Sequence, residues 1–272
     1  MSKVSVIIPT FNRSHIIERA IQSVVDQNYK NIELIIVDDG SVDNTKEIVS
    51  KYDCIYIKTE NHGVSHARNQ GVDKASGEWI AFLDSDDQWL PKKLESQLSY
   101  LNENPNCEFI HTNEIWIRNG VRVNPNKKYK KAGADQFIPS LKLCAISPST
   151  VLMSKKLFFK HGGFREDYPC CEDYDLWLKI TSEIEVGYLE EFHINKFGGH
   201  EDQLSHKYKA MDYYRVKSLY WILKNKSLSN IKKEALLKVL NKKCEILIKG
   251  FIKHNNLEHL DEVKSIQVEI NI

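Results

Sequence analysis

Three carboxylates stand within four residues in the segment Leu83-Asp84-Ser85-Asp86-Asp87. The segment closes an apolar run, Trp79-Ile80-Ala81-Phe82-Leu83, which predicts a buried strand, so the acids come where that strand must end. So much like charge is costly without a cation, and carboxylates at alternate positions can converge on one hard divalent ion. The alternative interpretation is a solvated turn that caps a helix starting near Pro91.

Apolar strands alternate with helices before this segment and just after it. The patterns predict strands at 4–8, 32–37, 54–58 and 79–83, and helices at 16–25, 44–51, 64–75 and 91–102. Because these strands are apolar throughout, they predict an α/β protein with a parallel sheet covered on both faces. Ligands of such sheets bind beyond the carboxyl ends of the strands. We therefore expect three polar loops, at 9–13, 38–41 and 84–87, to meet at one edge.

The alternation changes after residue 102. Strand patterns at 109–117 and 121–123 flank Arg118-Asn119-Gly120 and predict a hairpin, followed by a charged loop at 127–134. Further strands are predicted at 149–153 and 186–194, with a helix at 173–180 between them. Helical patterns then run to the end, with two apolar stripes: Tyr213, Val216, Tyr220 and Leu223, and Ile231, Ala235, Val239 and Ile246.

Charge is distributed unevenly along the chain. The net charge is +1, but residues 206–255 hold 13 Lys and Arg against three acids, giving +10 there and about −9 elsewhere. We therefore expect a body at 1–205 with a basic helical extension at 206–272. Cations beside amphipathic stripes suit peripheral contact with anionic lipid. The alternative is that the apolar stripe packs on the body or on a second subunit.

The sequence carries no obvious membrane or redox signal. The first residues lack the pattern of a signal peptide, and no apolar run approaches the roughly 20 residues that cross a bilayer. We therefore expect a cytoplasmic protein, with attachment at the inner face of the membrane left open. Six cysteines without a CxxC pair or zinc spacing predict reduced, mostly buried thiols.

Six motifs, in this order, resemble the family 2 glycosyltransferases, which are nucleotide-sugar enzymes with the GT-A fold. They are Val6-Ile7-Ile8-Pro9-Thr10-Phe11-Asn12-Arg13, Ile36-Val37-Asp38-Asp39-Gly40-Ser41, Gly63 with Ala67-Arg68-Asn69, Leu83 to Asp87, Gly162-Gly163-Phe164, and Glu172-Asp173-Tyr174-Asp175-Leu176-Trp177-Leu178. The resemblance covers about residues 3–205. It implies a mostly parallel sheet flanked by helices. It also implies transfer of a sugar, with inversion, from a nucleoside diphosphate (UDP favoured) to an acceptor hydroxyl, in surface polysaccharide or glycoconjugate synthesis.

The resemblance also implies site residues. The donor nucleotide would contact Pro9, Thr10, Phe11, Asn12, Arg13, Asp38, Asp39, Arg68, Asp84, Ser85 and Asp86. The divalent ion, Mn²⁺ or Mg²⁺, would be held by Asp86, Asp84 and His200. The catalytic base would be Asp173, with Glu172 as the nearest alternative.

Each of these roles has a structural alternative. A carboxylate at a strand end can accept the imide N–H of a uracil, which the resemblance assigns to Asp39, or cap the next helix. Arg68 offers a forked donor to phosphate or base, or forms a surface salt bridge. Glu172 and Asp173 begin a helix, where the helix dipole stabilises a carboxylate and lowers its pKa. His200 is a metal or phosphate ligand, or a surface histidine.

The expected partners are a nucleotide-sugar donor and a saccharide or lipid-linked acceptor, and no nucleic acid; a homodimer stays open. A nucleotidylyltransferase would need a glycine-rich loop with a lysine after the first strand, and residues 9–13 contain no glycine. A glycoside hydrolase uses paired carboxylates but needs no nucleotide pocket. The remaining alternative is a catalytically inactive nucleotide-sugar binding module.

Overall fold

The structure is a computed structural model that describes residues 2–199, 208 and 210–271 of the 272-residue chain. In this part of the chain one sheet has nine strands. They are β1 Val4–Thr10, β2 Ile32–Asp38, β3 Ile55–Lys58, β4 Trp79–Phe82, β5 Gln88–Trp89, β6 Phe109–Arg118, β7 Val121–Val123, β8 Leu152–Ser154 and β9 Gly187–Gly198.

Helices cover both faces of this sheet. They are α1 Ile17–Val25, α2 Thr45–Val49, α3 Val64–Lys74, α4 Lys93–Glu103, α5 Phe137–Ser140, α6 Lys155–Lys160, α7 Glu172–Thr181, α8 Asp212–Asn225, α9 Asn230–Lys253 and α10 Leu260–Ile270. The strands alternate their side chains between two cores, so Val6 and Ile8 pack against α1 and α4 while Ile7 packs against α3 and α7. Full burial of each such side chain contributes about 1.5–3 kcal/mol.

The strand order is β3-β2-β1-β4-β8-β6-β9-β5, with β7 paired to β6. The first four strands are parallel, β8 runs antiparallel to both β4 and β6, and β9 is parallel to β6. The predicted sheet with flanking helices is therefore confirmed. In register, Thr10 lies beside Asp38, and the Asp39 N–H donates to the Thr10 carbonyl at 2.8 Å. The ends of β1, β2 and β4 thus meet at one edge, as the sequence predicts.

Two strand predictions need correction. The segment predicted as a strand at 149–153 begins instead as a 3₁₀ turn, Pro148–Thr150, and only then enters β8. Proline lacks the N–H that a central strand needs, and the Ser149 hydroxyl donates to a carboxylate rather than lying between strands. Strand β9, predicted to end at Ile194, continues to Gly198 and so places Lys196 and Phe197 beside the acidic segment.

The C-terminal helices share a third core with α7. Tyr174 and Leu178 of α7 pack with buried side chains of α8, α9 and α10. The apolar stripe noted on α9 in the sequence is not its main packed face, because Ile231 and Ile246 are 73% and 53% exposed. The face that packs is Leu236, Leu240, Cys244, Leu247 and Phe251. This helix has apolar residues on several sides, so contact with the body, not the local pattern, decides which stripe is buried.

Ion pairs also join the basic extension to the rest of the protein. Lys226 pairs with Glu183 at 2.5 Å, and Lys232 pairs with Asp135 at 3.1 Å. The extension's excess of cations is thus partly offset by acids of the body, in line with the alternative that it packs there. Among the described residues, no helix is long and apolar enough to cross a membrane.

Truncation of Leu240 to Ala should lower the free energy of unfolding by about 2–5 kcal/mol, because it leaves a cavity in the third core. The matched variant Ile246→Ala, on the exposed side of α9, should change it by less than about 1 kcal/mol. Urea unfolding followed by circular dichroism measures both. Equal effects of the two substitutions would contradict the packing described here.

Candidate active site

A cavity of about 1060 Å³ opens at the carboxyl edge of the sheet. It is bordered by three chain segments that are far apart in sequence: the end of β1, the start of α3 and the loop before α7. Of the residues predicted to bind the donor, those that line it are Pro9, Thr10, Phe11, Asn12, Arg13, Asp39 and Ser85. This volume is at the upper end of the range usual for small-molecule sites.

The loop after β1 is held in shape by hydrogen bonds to the loop after β2. The Asn12 N–H donates to the Ser41 hydroxyl at 2.7 Å, and the Asn12 side-chain oxygen accepts from the Val42 N–H at 2.9 Å. Asn12 takes a left-handed conformation, with φ 52°, which turns the chain at the rim. Phe11 is therefore held on the rim with 41% of its surface exposed. The buried Thr10 hydroxyl has no hydrogen-bond partner among the described residues.

The two adjacent carboxylates after β2 have different surroundings. Asp38 is fully buried, and its carboxylate accepts from the Ser41 N–H at 2.7 Å and from the Tyr56 hydroxyl at 2.5 Å. Asp39 lines the cavity and accepts from the backbone N–H groups of His62 and Gly63, at 2.9 and 2.8 Å. The Thr59 hydroxyl is a third donor to Asp39, at 3.2 Å. A carboxylate has about four lone-pair sites, so Asp39 retains capacity for one more donor.

Arg68 is almost fully buried, at 3% exposure, and does not line the cavity. Its Nη2 contacts Asp84 Oδ1 and its Nη1 contacts Glu172 Oε1, each at 2.7 Å. Burial alone would lower the pKa of Arg68, but the negative charges of Asp84 and Glu172 outweigh this effect and raise it. Arg68 thus joins the end of β4 to the start of α7.

The acidic segment forms a tight turn closed by the Asp87 N–H donating to the Asp84 carbonyl at 3.0 Å. Asp87 is buried, and its carboxylate accepts from the Ser149 hydroxyl at 2.7 Å and from the Phe197 N–H at 3.1 Å. Burial and the neighbouring charge of Asp86 raise the pKa of Asp87 well above its usual range. The charged form of the Asp87 carboxyl is therefore disfavoured at this position.

No group of three or more His, Cys, Asp or Glu side chains within the described residues is arranged to hold a metal ion. His200, one of the predicted ligands, lies outside the described residues. The donor atoms at the acidic turn are nevertheless all carboxylate oxygens, which suit Mg²⁺ or Mn²⁺. Asp84 gives only Oδ1 to Arg68 and is 28% exposed. Asp84 and Asp86 are the residues that could hold an ion there, with substrate phosphate and water as further ligands.

The two carboxylates at the start of α7 are in different environments. Glu172 is buried and paired with Arg68, and burial, together with the charge of Asp173, raises its pKa. The expected lowering by the helix dipole is thus outweighed by desolvation. Asp173 is partly exposed, and its Oδ1 accepts from the Tyr174 N–H at 2.6 Å. A partly exposed carboxylate can reach a substrate, whereas Glu172 is already held by a cation.

Two lysines belong to this site, and sequence reasoning missed both: Lys131 is buried, and the Lys196 side chain is 30% exposed. Lys196 on β9 donates to the Ser147 hydroxyl at 2.5 Å and lies 4.0 Å from Glu114 Oε1. Lys131 contacts Glu114 Oε2 at 2.9 Å, with both side chains 3% exposed. Burial lowers the pKa of Lys196, but Glu114, Asp87, Asp84 and Asp173 together raise it above its usual value. The sequence carries no signal for Lys196, because β9 continues past Ile194 through the polar residues Asn195 and Lys196.

The parallel strand ends, the cavity beside them and the acidic turn belong to an α/β domain with the GT-A fold, in which ligands bind beyond the carboxyl ends of the strands. Comparison with known proteins agrees. The sequence model of the family described as glycosyl transferase family 2 matches residues 5–160, more than half of the chain. The chain belongs to that family.

Three proteins that are similar to this chain are named for, or have been solved with, a nucleotide sugar. One is an Escherichia coli protein named UDP-Glc:alpha-D-GlcNAc-diphosphoundecaprenol beta-1,3-glucosyltransferase WfgD. It is 36% identical over 187 residues, which are 67% of this chain and 71% of that protein. The structure of Staphylococcus aureus TarS 1-349 with UDP-GlcNAc aligns with a TM-score of 0.70 at 22% identity, over 98% of this chain and 79% of that one. Mannosyltransferase PcManGT from Pyrobaculum calidifontis, with GDP-Man and Mn²⁺, aligns at 0.63 and 16% identity, over 99% and 85%.

These likenesses differ in what they support. The two solved structures are below 25% identity, so they support the fold alone. The first curated relatives that the chain matches are covered to very different extents, from 27% to 75% of their own length. The activity of the whole protein therefore has to be argued from the site itself.

Replacement of Arg68 by Met should lower the free energy of unfolding by about 3–5 kcal/mol, because it leaves a buried carboxylate without its cation. The matched variant Arg165→Met removes the exposed pair with Asp167 and should cost at most about 1 kcal/mol. Adding Glu172→Gln to Arg68→Met should recover part of the loss. Strictly additive effects would show that Arg68 and Glu172 are not coupled.

The loss of stability in Arg68→Met should depend on pH. The pKa of Glu172 is already raised in the folded protein, and loss of Arg68 raises it further. Such a group is more protonated when folded than when unfolded, so stability falls as pH rises above the unfolded-state value of about 4.3. The deficit of Arg68→Met should thus be larger near about pH 8 than near about pH 5, as measured by urea unfolding at both. A deficit that grows on acidification would contradict this sign.

Proposed function

We propose that the protein is an inverting glycosyltransferase that moves a sugar from a nucleoside diphosphate, UDP in the first place, to an acceptor hydroxyl in polysaccharide or glycoconjugate synthesis. One observation carries the proposal. The ends of β1 and β2 line a cavity of about 1060 Å³, and Ser85, in the acidic turn after β4, borders the same cavity. A nucleotide pocket thus continues directly into a cluster of carboxylates suited to handle a diphosphate.

The donor's base and ribose would lie at the β1 and β2 ends. Phe11 offers an exposed ring for stacking, and the buried Thr10 hydroxyl offers a hydrogen bond that no described residue takes up. Asp39, which borders the cavity, would accept the imide N–H of a uracil. Asp38 has its own hydrogen-bond partners and would act by supporting this loop.

The diphosphate would lie next to Ser85, facing Asp84 and Asp86. Carboxylates and phosphates repel each other, so this arrangement supports a divalent ion held by Asp84 and Asp86. When bound, such an ion neutralises the charge that develops on the departing diphosphate. Arg68 fixes Asp84 in place by its buried ion pair, and the Phe197 N–H and the Ser149 hydroxyl fix Asp87.

Transfer would proceed as one displacement. The acceptor oxygen bonds to the anomeric carbon as the bond from that carbon to the phosphate oxygen breaks, and the electron pair leaves with the nucleoside diphosphate. The acceptor proton passes to Asp173, the partly exposed carboxylate at the start of α7. Glu172 is buried in its pair with Arg68 and would position this helix rather than take the proton.

The acceptor class follows from the relatives as a proposal. The Escherichia coli relative's name gives a sugar linked to diphosphoundecaprenol as its acceptor. We propose a lipid-linked saccharide for this protein as well. Membrane contact through the basic extension and a homodimer stay predictions; Ile246 and Ile252 on the exposed side of α9 are the residues through which either would act.

Asp173→Asn should keep UDP affinity within a few-fold and lose about 10² or more in turnover, because the amide cannot accept the acceptor proton. Asp73→Asn, an exposed aspartate on α3, is the matched control and should change neither. Rates come from nucleotide release, and NMR of the product gives the anomeric configuration. Near wild-type turnover of Asp173→Asn, or a retained configuration, would refute the assignment. A wild-type protein that binds UDP-sugar but never turns over would favour an inactive binding module.

Donor binding should depend on a divalent ion held at the acidic turn. Calorimetric titration with UDP in Mn²⁺ should give an affinity at least about tenfold higher than in EDTA, since a divalent ion removes the repulsion between the acidic turn and the diphosphate. Asp86→Ala should reduce the difference between the two conditions, and Asp73→Ala should leave it intact. Equal affinity of the wild type in Mn²⁺ and EDTA would exclude this arrangement.

A further inference from the structure

The segment from Arg118 to Lys131, here named the basic loop, contains six cations and no acid. It comprises the hairpin turn, β7 and the 3₁₀ turn Lys127–Tyr129. Lys131 turns inward to Glu114, whereas Lys127, Lys128 and Lys130 are exposed. No ion pair within the described part of the chain involves these three lysines. These three lysines therefore form a patch of positive charge that no ion pair among the described residues neutralises.

The basic extension contrasts with this loop. Five of its lysines, at 224, 226, 232, 242 and 243, each contact a carboxylate. Others, such as Lys238, Lys249 and Lys253, are exposed but widely spaced along α9. The basic loop has six cations and no acid in 14 residues, against 13 cations and three acids in residues 206–255, so it is the denser positive segment and the stronger candidate for an anionic partner.

A chain of contacts connects the basic loop with the catalytic cluster. Lys196, whose pKa is raised in part by Asp173, has its Nζ 5.9 Å from the centre of the Trp116 ring. The Trp116 ring lies 5.2 Å from that of Tyr129, and Lys128 Nζ lies 5.1 Å from the Tyr129 ring. Trp116 is also fixed by its indole N–H, which donates to Glu114 at 2.8 Å. The loop thus lies a few side chains from the proposed base.

The loop also lies on the correct side for an acceptor. The nucleotide cavity is lined by residues between 9 and 85, by 166–169 and by Tyr208, whereas the loop extends from β6 on the other side of the sheet's acidic edge. In an inverting displacement the nucleophile and the leaving group are on opposite faces of the sugar ring. An acceptor that reaches Asp173 opposite the nucleotide would therefore arrive past Lys196 and Trp116.

We propose that the basic loop binds the diphosphate group of a lipid-linked acceptor, a role that rests on the proposed function. Lysine forms charge-assisted hydrogen bonds with phosphate oxygens, and the three exposed lysines of the loop can contact several of them at once. The aromatic pair of Trp116 and Tyr129 lies between this anion site and the base. That is where a sugar attached to the diphosphate would have to lie.

The test uses vesicles and the full-length protein, without any sugar nucleotide. Neutral phosphatidylcholine vesicles, the same vesicles with a polyprenyl diphosphate, and vesicles with phosphatidylglycerol at equal charge are sedimented with wild type. The loop variant is Lys127→Gln/Lys128→Gln/Lys130→Gln. The matched control carries the same charge change on exposed α9 lysines, as Lys238→Gln/Lys249→Gln/Lys253→Gln.

Wild type should bind the diphosphate vesicles at least about fivefold better than the charge-matched ones, and the loop variant should lose about tenfold or more. The control should retain the preference for diphosphate, and all three proteins should bind UDP alike. Equal binding to both anionic vesicles, unchanged binding by the loop variant, or an equal loss in the control would each overturn the proposal. Because no donor is present, failure here is separate from failure of the glycosyltransferase assignment, which would appear as an absence of UDP-sugar turnover.

Discussion

The two ion pairs of Arg68 are the constraint on which the rest of the site depends. One buried guanidinium contacts both Asp84, which follows β4, and Glu172, at the start of α7. The acidic turn and the helix with Asp173 are more than 80 residues apart in sequence, so long-range contacts fix their separation: these ion pairs and the core that β4 shares with α7. Buried ion pairs add little net stability, but they are costly to break and select one arrangement. We infer that Arg68 serves to set geometry.

The charged side chains around the Arg68 ion pairs partly offset one another. Burial and Asp86 raise the pKa of Asp87, and Lys196 is the nearby cation that lowers it. Positive charge that is not used in this way lies at two surfaces: the extension, where Lys226 and Lys232 pair with acids of the body, and the basic loop, where no ion pair among the described residues involves the exposed lysines. The two surfaces therefore differ in their capacity to bind an anion, although the sequence shows the larger excess in the extension.

Much of the fold was predictable because its signals are local. The apolar runs of β1, β2 and β4 and the helices after them follow from period and from chain breaks, and parallel order then places residues 9–13, 39 and 85 at one edge. Long-range pairing was not predictable in this way. The partners of Arg68 and the position of Lys196 beside Glu114 depend on elements that meet only in the folded protein. Helix α9 has two apolar stripes, and the one that includes Leu240 is buried because it packs against α7 and α8.

The most direct test of the account is a screen of the purified protein against UDP- and GDP-sugars in the presence of Mn²⁺, with release of nucleoside diphosphate as the signal. The account predicts release from at least one UDP-sugar, and loss of that release when Asp39, which borders the nucleotide cavity, is replaced by Ala. If no nucleotide sugar of either kind binds or is cleaved, while the protein is folded, the cavity at the strand ends is not a donor site and the central claim is wrong.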